Sequence, residues 1–175
     1  WADLKNCDAV FLTYDTPVSD NDEPDTSVLF SAAKDMAPHL RPDTLFVVMS
    51  QVPVGTTKAL LSAMKEVNPS LQCEAIYFPE NLQLGKALEC FLRADRFVIG
   101  ADTISARETM EAIVLGIQAP RQTTNIATAE MSKHALNAFL ATSLSFIYNI
   151  ADLCEATGAD VTEVAQALRS DSRIG

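Results

Sequence analysis

Lys133 and Asn137 stand four residues apart in a long, mostly apolar run, with Glu130 one turn before them. At 3.6 residues per turn, positions i and i+4 share one helix face. An ammonium and a carboxamide would therefore point the same way. A lysine is costly to bury unless its charge is used. The chemistry this pair offers is joint stabilisation of a developing oxyanion. The same spacing also suits a solvated polar stripe on a helix that packs elsewhere. Glu80 follows Pro79 in "FPENLQLGKAL" (78–88), an acid placed straight after an apolar run. Taken alone, it reads equally as a solvated or helix-capping carboxylate.

The elements around these residues alternate. "DAVFLTY" (8–14), "TLFVVMS" (44–50), "CEAIYF" (73–78) and "RFVIG" (96–100) are short apolar runs bounded by turn residues, which predicts buried strands. Helical patterns separate them: one capped by Asp25 or Thr26 and reaching about Pro38, one over "TTKALLSAMKEV", and one over "SARETMEAIVLGI" (105–117). Strands apolar on both faces, alternating with helices, predict a parallel sheet covered on both sides. From about Asn125 no Gly or Pro appears until Gly158, which predicts one long helix. A second helix over about Val161 to Arg169 would take Asp160 as its N-cap. The expected fold is therefore α/β: a partial doubly wound, Rossmann-like parallel sheet followed by a long central helix and a small helical domain. The boundary is expected near residue 124/125. In such sheets ligands bind at the carboxyl ends of the strands. "DTPV" (15–18), "SQVPVGTT" (50–57) and "FPENLQLGKAL" would lie there, although each alone reads as an ordinary Pro- and Gly-rich connection.

Composition narrows the partners. The chain has 175 residues, 48% hydrophobic and 21% charged, with a formal net charge of −10. That surface repels phosphate backbones, so no nucleic acid is expected as a partner. A few local cations or helix N-termini can still hold a phosphorylated small molecule. Cys7, Cys73, Cys90 and Cys154 form no CxxC and no metal-ligand spacing. No metal site is expected, and the cysteines suit reduced, buried thiols in a cytoplasmic protein. No apolar run is long enough to span a bilayer, so no membrane is expected.

Five stretches together carry a resemblance: "TYDTPV", "SQVPVGTT", "FPENLQLGKALECFLRADRFVIGAD", "AEMSKHALNAFLATSLSFI" and "GADVTEVAQALRSDSRIG". In this order they resemble the UDP-glucose/GDP-mannose dehydrogenase family of nucleotide-sugar dehydrogenases, over nearly the whole chain. The resemblance implies oxidation of the C6 alcohol of a nucleotide-linked hexose to a carboxylate, using NAD or NADP. It implies that Lys133 stabilises the oxyanion, that Asn137 orients substrate or water, and that Glu80 handles the hydrolytic water. Thr16, Pro17, Ser50 and Gln51 would lie along the dinucleotide. Asn81 and Leu82 would line the substrate, and Arg173 matches an arginine that in some members reaches the partner subunit's substrate. The resemblance implies a homodimer through the long helix; Leu136, Phe139, Leu140, Leu144, Phe146 and Ile147 ring that helix widely and need partners on several sides, either the chain's own sheet or a second subunit.

The chain departs from the family pattern in places. Gln51 stands where many relatives have threonine, Leu84 where some carry a second glutamate, and Tyr148–Asn149 where Asn–Glu is common. No two of the six glycines are two apart, so the GxGxxG phosphate cradle is not among these residues. The family's cysteine nucleophile follows "RIG" in a GxGGxC segment. Cys154 cannot replace it on an unbroken helix, lying 21 residues, or roughly 30 Å, beyond Lys133. The expectation is a fragment without turnover of its own. Two other readings share part of the pattern. One is a β-hydroxyacid or 6-phosphogluconate dehydrogenase relative, which has the K-x-x-x-N pair but not the PExL element. The other is a non-catalytic dimer or ligand-binding module.

Overall fold

Five strands form one sheet in the order β1-β2-β3-β4-β5: β1 (Ala9–Leu12), β2 (Leu45–Val48), β3 (Ala75–Tyr77), β4 (Phe97–Ala101) and β5 (Arg121–Thr124). These come from a computed structural model that describes residues 1–21, 23–82 and 85–174. Every residue of β2 and β3 is buried. Their side chains alternate between two cores, as a two-residue period requires. Phe46, Val48, Ala75 and Tyr77 face α1 (Ser27–Met36), α2 (Thr56–Val67) and the first turns of α5 (Ile126–Thr157). Leu45, Val47 and Ile76 face α4 (Ile104–Ile113) and Phe91 of α3 (Ala87–Leu92). The sheet is thus covered on both sides, as its continuous apolar runs imply.

The expectation of an all-parallel sheet needs one correction. β1–β2, β2–β3 and β4–β5 are parallel, but β3 and β4 are antiparallel, with Tyr77 opposite Gly100. A parallel return requires a crossover that carries the chain back along the strand. The only helix described in that connection, α3, has six residues, or roughly 9 Å at 1.5 Å per residue. β4 therefore starts at the edge where β3 ends and runs the other way. β5 is also an addition, since its polar "RQTT" carries no apolar signal and it pairs only with β4.

Two units divide the chain, Trp1–Lys133 and His134–Gly175. In the first, α5 starts against β4, and its approach depends on Gly100. A methyl group there would lie 2.6 Å from Ala129 Cβ, 3.1 Å from Ile126 Cα and 3.2 Å from the Tyr77 carbonyl oxygen. Two side chains cap the start of this helix. Asn125 Oδ1 accepts from Thr128 N at 2.8 Å, and Asp102 Oδ1 accepts from Ile126 N at 3.1 Å. Asp102 Oδ2 also pairs with Lys58 Nζ at 2.7 Å. In the second unit, α5 ends at Gly158, whose φ of +76° suits a residue without Cβ. Asp160 then caps α6 (Val161–Arg169) through Thr162 N at 2.7 Å and Glu163 N at 3.2 Å, as predicted. Among the described residues no helix is long and apolar enough to cross a membrane.

The Asp102 contacts give a pH-dependent expectation. Burial pushes its carboxyl up, but the bonds from Lys58 and Ile126 N–H and the Lys58 charge outweigh it and hold it below 3.8. The unfolded chain then binds the extra proton first, so this contribution is complete above about pH 3.8 and fades as pH falls through the folded value. Asp102→Asn is expected to cost about 1 kcal/mol at pH 7, the scale of a lost cap. Urea unfolding at pH 7 and pH 3 checks it: the gap between variant and parent should narrow at the lower pH. A constant gap would show that charge is not what Asp102 contributes.

Candidate active site

Because β1, β2 and β3 run parallel, the connections that follow them gather along one edge of the sheet. Side chains knit the first two together. Ser50 Oγ donates to Tyr14 O at 2.5 Å and reaches Leu12 O at 3.4 Å. Thr16 Oγ1 donates to Gln51 O at 2.8 Å, and Pro17 O accepts from Asp25 N at 2.8 Å. Thr16, Pro17, Ser50 and Gln51 are thus brought into one double loop, although Pro17 and Ser50 lie 33 positions apart in sequence.

Lys133 lies over the third connection. Its Nζ donates to Glu80 O at 2.6 Å and to Asn81 Oδ1 at 3.1 Å. The Glu80 carboxylate turns back and accepts from Leu82 N. Glu80, Asn81, Leu82 and Lys133 therefore form one cluster. Lys133 is half-buried, and that burial pulls its pKa below the usual 10.5, while the negative charge of Glu80 works the other way. Neither direct acceptor is charged, so the two bonds fix the direction of the ammonium without neutralising it. Tyr77 is fully buried at the end of β3. Burial, then the charges of Glu130 and Glu80, push its phenol well above its usual value and keep it protonated.

Glu130 is the residue that spacing alone did not place. It is completely buried, and its carboxylate reaches the first turn of α2: Oε2 accepts from Gly55 N at 2.6 Å and Oε1 from Thr57 N at 2.9 Å. Gly55 has φ +96°, a conformation glycine adopts without strain. The available signal was a glutamate on an apolar helix three residues before a lysine.

Asn137 and Arg173 belong to the second unit. Arg173 closes on Asp171 through Nε at 2.9 Å and Nη2 at 2.6 Å. Leu84 lies outside the described residues. All four described cysteines are free, but only Cys73 and Cys154 are buried. Cys7 and Cys90 are partly exposed, which corrects the expectation of four buried thiols; Cys7 follows a short 3-10 turn and Cys90 lies on the short α3, where little packs over them. Among the described residues no three His, Cys, Asp or Glu side chains are grouped to hold a metal ion.

A covered, mainly parallel sheet with its loops drawn to one edge, and a lysine of the following helix set over that edge, defines a Rossmann-like α/β domain of the dehydrogenase type. The chain belongs to the UDP-glucose/GDP-mannose dehydrogenase family: residues 2–117 match its NAD binding domain and residues 127–175 its central domain. It is 40% identical over 174 residues to a UDP-glucose 6-dehydrogenase of Rhizobium meliloti (strain 1021), covering 96% of this chain and 40% of that protein. It is 37% identical over 173 residues to UDP-glucose 6-dehydrogenase TuaD of Bacillus subtilis (strain 168), covering 98% of this chain and 38% of that one. Among solved structures, a UDP-glucose dehydrogenase from the hyperthermophilic archaeon Pyrobaculum islandicum superposes with a TM-score of 0.94 at 32% identity, covering 98% of this chain and 41% of that chain. The chain spans about 40% of the length of the curated relatives it matches.

The family implies NAD. The residues present fit one flank of it. Thr16 Oγ1 spends its hydrogen on Gln51 O and keeps its acceptor lone pairs, and Pro17 and Gln51 are exposed beside it. The glycine turn that cradles a pyrophosphate is not among these 175 residues.

Proposed function

We propose that the protein this chain belongs to oxidises the C6 hydroxyl of a UDP- or GDP-linked hexose to the carboxylate. The observation that carries this reading is the Lys133 ammonium, held half-buried by two uncharged acceptors on Glu80 and Asn81. A fixed cation whose two direct acceptors are uncharged, in a partly desolvated place, stabilises an oxygen that gains negative charge, and it needs no reorganisation to do so. Lys133 is thus the oxyanion-stabilising residue. Glu80 takes the proton of the hydrolytic water, and Asn137, one turn on along α5, orients substrate or water. Asn81 and Leu82 line the sugar. Arg173 reaches the substrate of the partner subunit in the homodimer. Thr16, Pro17, Ser50 and Gln51 hold the flank of the dinucleotide. NAD, when bound, supplies the hydride acceptor.

Residues 1–124 form the later part of the dinucleotide-binding domain and residues 125–175 the central helical domain. That second part forms a cytoplasmic homodimer through α5. Phe139, Leu140, Leu144 and Phe146 support this, since each is at least half exposed on that helix and such an apolar ladder requires cover.

The test uses the protein that contains this chain, with UDP-glucose and GDP-mannose as probes. Lys133→Ala is expected to lower kcat for NADH formation about 100- to 1000-fold. The alkaline limb of the parent's profile should fall below pH 10.5, because burial lowers the lysine's pKa. An unchanged kcat in the variant would remove Lys133 from the chemistry.

A further inference from the structure

Glu130 links the two sides of the candidate site. It sits three residues before Lys133 on α5, so the two Cα atoms are fixed by less than one helical turn. Its carboxylate grips Gly55 N and Thr57 N. Those amides close the segment that begins at Ser50 and Gln51, and Gln51 O holds the Thr16 hydroxyl. The path from Lys133 to the cofactor-side loops therefore consists of less than one helical turn, two charge-assisted bonds and the three residues between Gln51 and Gly55. No salt bridge is formed by Glu130 among the described residues. A carboxylate at 0% exposure is a high cost for mere packing, and α2's amides could have been capped locally by Ser, Thr or Asp. A long-range acceptor from the lysine-bearing helix does what a local cap cannot: it couples the two elements.

We propose that Glu130 is a positioning residue, setting the separation between the Thr16–Gln51 loops and the Lys133 ammonium. This rests on the dehydrogenase reading given above. Displacing a reacting group by about 1 Å costs on the order of 100-fold in rate.

The experiment compares Glu130→Ala, Glu130→Gln and Leu29→Ala in the protein that contains this chain. Leu29 is a fully buried apolar residue of α1 that makes none of the site's hydrogen bonds, and it serves as a destabilised control. At a temperature where circular dichroism shows all forms folded, kcat should fall about 30- to 100-fold for Glu130→Ala, and KM for NAD should rise. Glu130→Gln should recover part of the loss, because its amide oxygen still accepts one N–H. Leu29→Ala should keep the parent's kcat. Should Glu130→Ala fail to fold, Glu130→Gln alone carries the comparison. Parental kcat in a folded Glu130 variant would overturn the proposal. If the unmodified protein turns over neither probe, the dehydrogenase reading fails, and the Lys133 13Cε titration decides the positioning claim by itself. Movement of that pKa back toward 10.5 in the Glu130 variants supports it, and an unmoved titration overturns it.

Discussion

Glu130→Ala is expected to lower the unfolding free energy by about 3 kcal/mol. Two charge-assisted bonds disappear, each contributing about 1.5–3 kcal/mol. Gly55 N and Thr57 N lose their buried acceptor at the positive end of α2. The opposing effect is relief from desolvating a carboxylate, which is several kcal/mol in a dry interior. The loss still wins, because alanine removes the acceptor and leaves both donors in place. Water entering the vacated space recovers a part. For a chain of this length, 3 kcal/mol corresponds to a fall in Tm of about 6–12 °C. Guanidinium unfolding monitored by circular dichroism would read it, with the slope unchanged. A loss below about 1 kcal/mol would mean that solvent already serves these amides, and the clamp would lose its energetic basis.

The second large effect concerns space. Gly100→Ala is expected to cost about 2–3 kcal/mol by overpacking. Its methyl group would meet Ala129 Cβ at 2.6 Å, and both residues are buried. The other two close atoms, Ile126 Cα and Tyr77 O, are backbone and cannot rotate away. The first turn of α5 must therefore retreat from β4. That retreat strains the Asp102–Ile126 bond, which anchors the same turn. A second substitution separates the clash from other causes. Ala129→Gly removes the nearest atom but adds about 1 kcal/mol of helix cost by itself. The double variant should be more stable than the sum of the singles predicts, by at least about 1 kcal/mol. Additive losses would rule out the Gly100–Ala129 contact as the origin of the effect.

How far these features could be read from sequence follows from what each depends on. β2 and β3 were legible because burial on both faces writes itself as unbroken apolar runs. α5 was legible because nothing between Asn125 and Gly158 can stop a helix. The direction of β4 was not, since it depends on the length of α3 and not on the composition of "RFVIG". β5 was hidden by its polar residues, which an edge position tolerates. The Lys133–Glu80–Asn81 cluster joins residues 52 and 53 positions apart. No periodicity reports such a contact, so only the family resemblance pointed to it. Glu130 was visible as a residue but not as a clamp, because its donors are backbone amides, identical in every sequence. The same holds for Thr16 and Gln51, joined through a carbonyl oxygen.

Glu130 follows its two donors by 75 and 73 residues. A ribosome adding about 5–20 residues per second needs about 4–15 s to cover that stretch. During this interval the nascent chain already contains β1, β2 and α2, yet the first turn of α2 has only water for its amides. The Thr16–Gln51 and Ser50–Tyr14 bonds can form beforehand, but the anchor of that segment to the lysine-bearing helix cannot close until Glu130 is made. Translation speed between residues 57 and 130 thus sets the earliest moment at which this anchor can close, when all five strands have already been made.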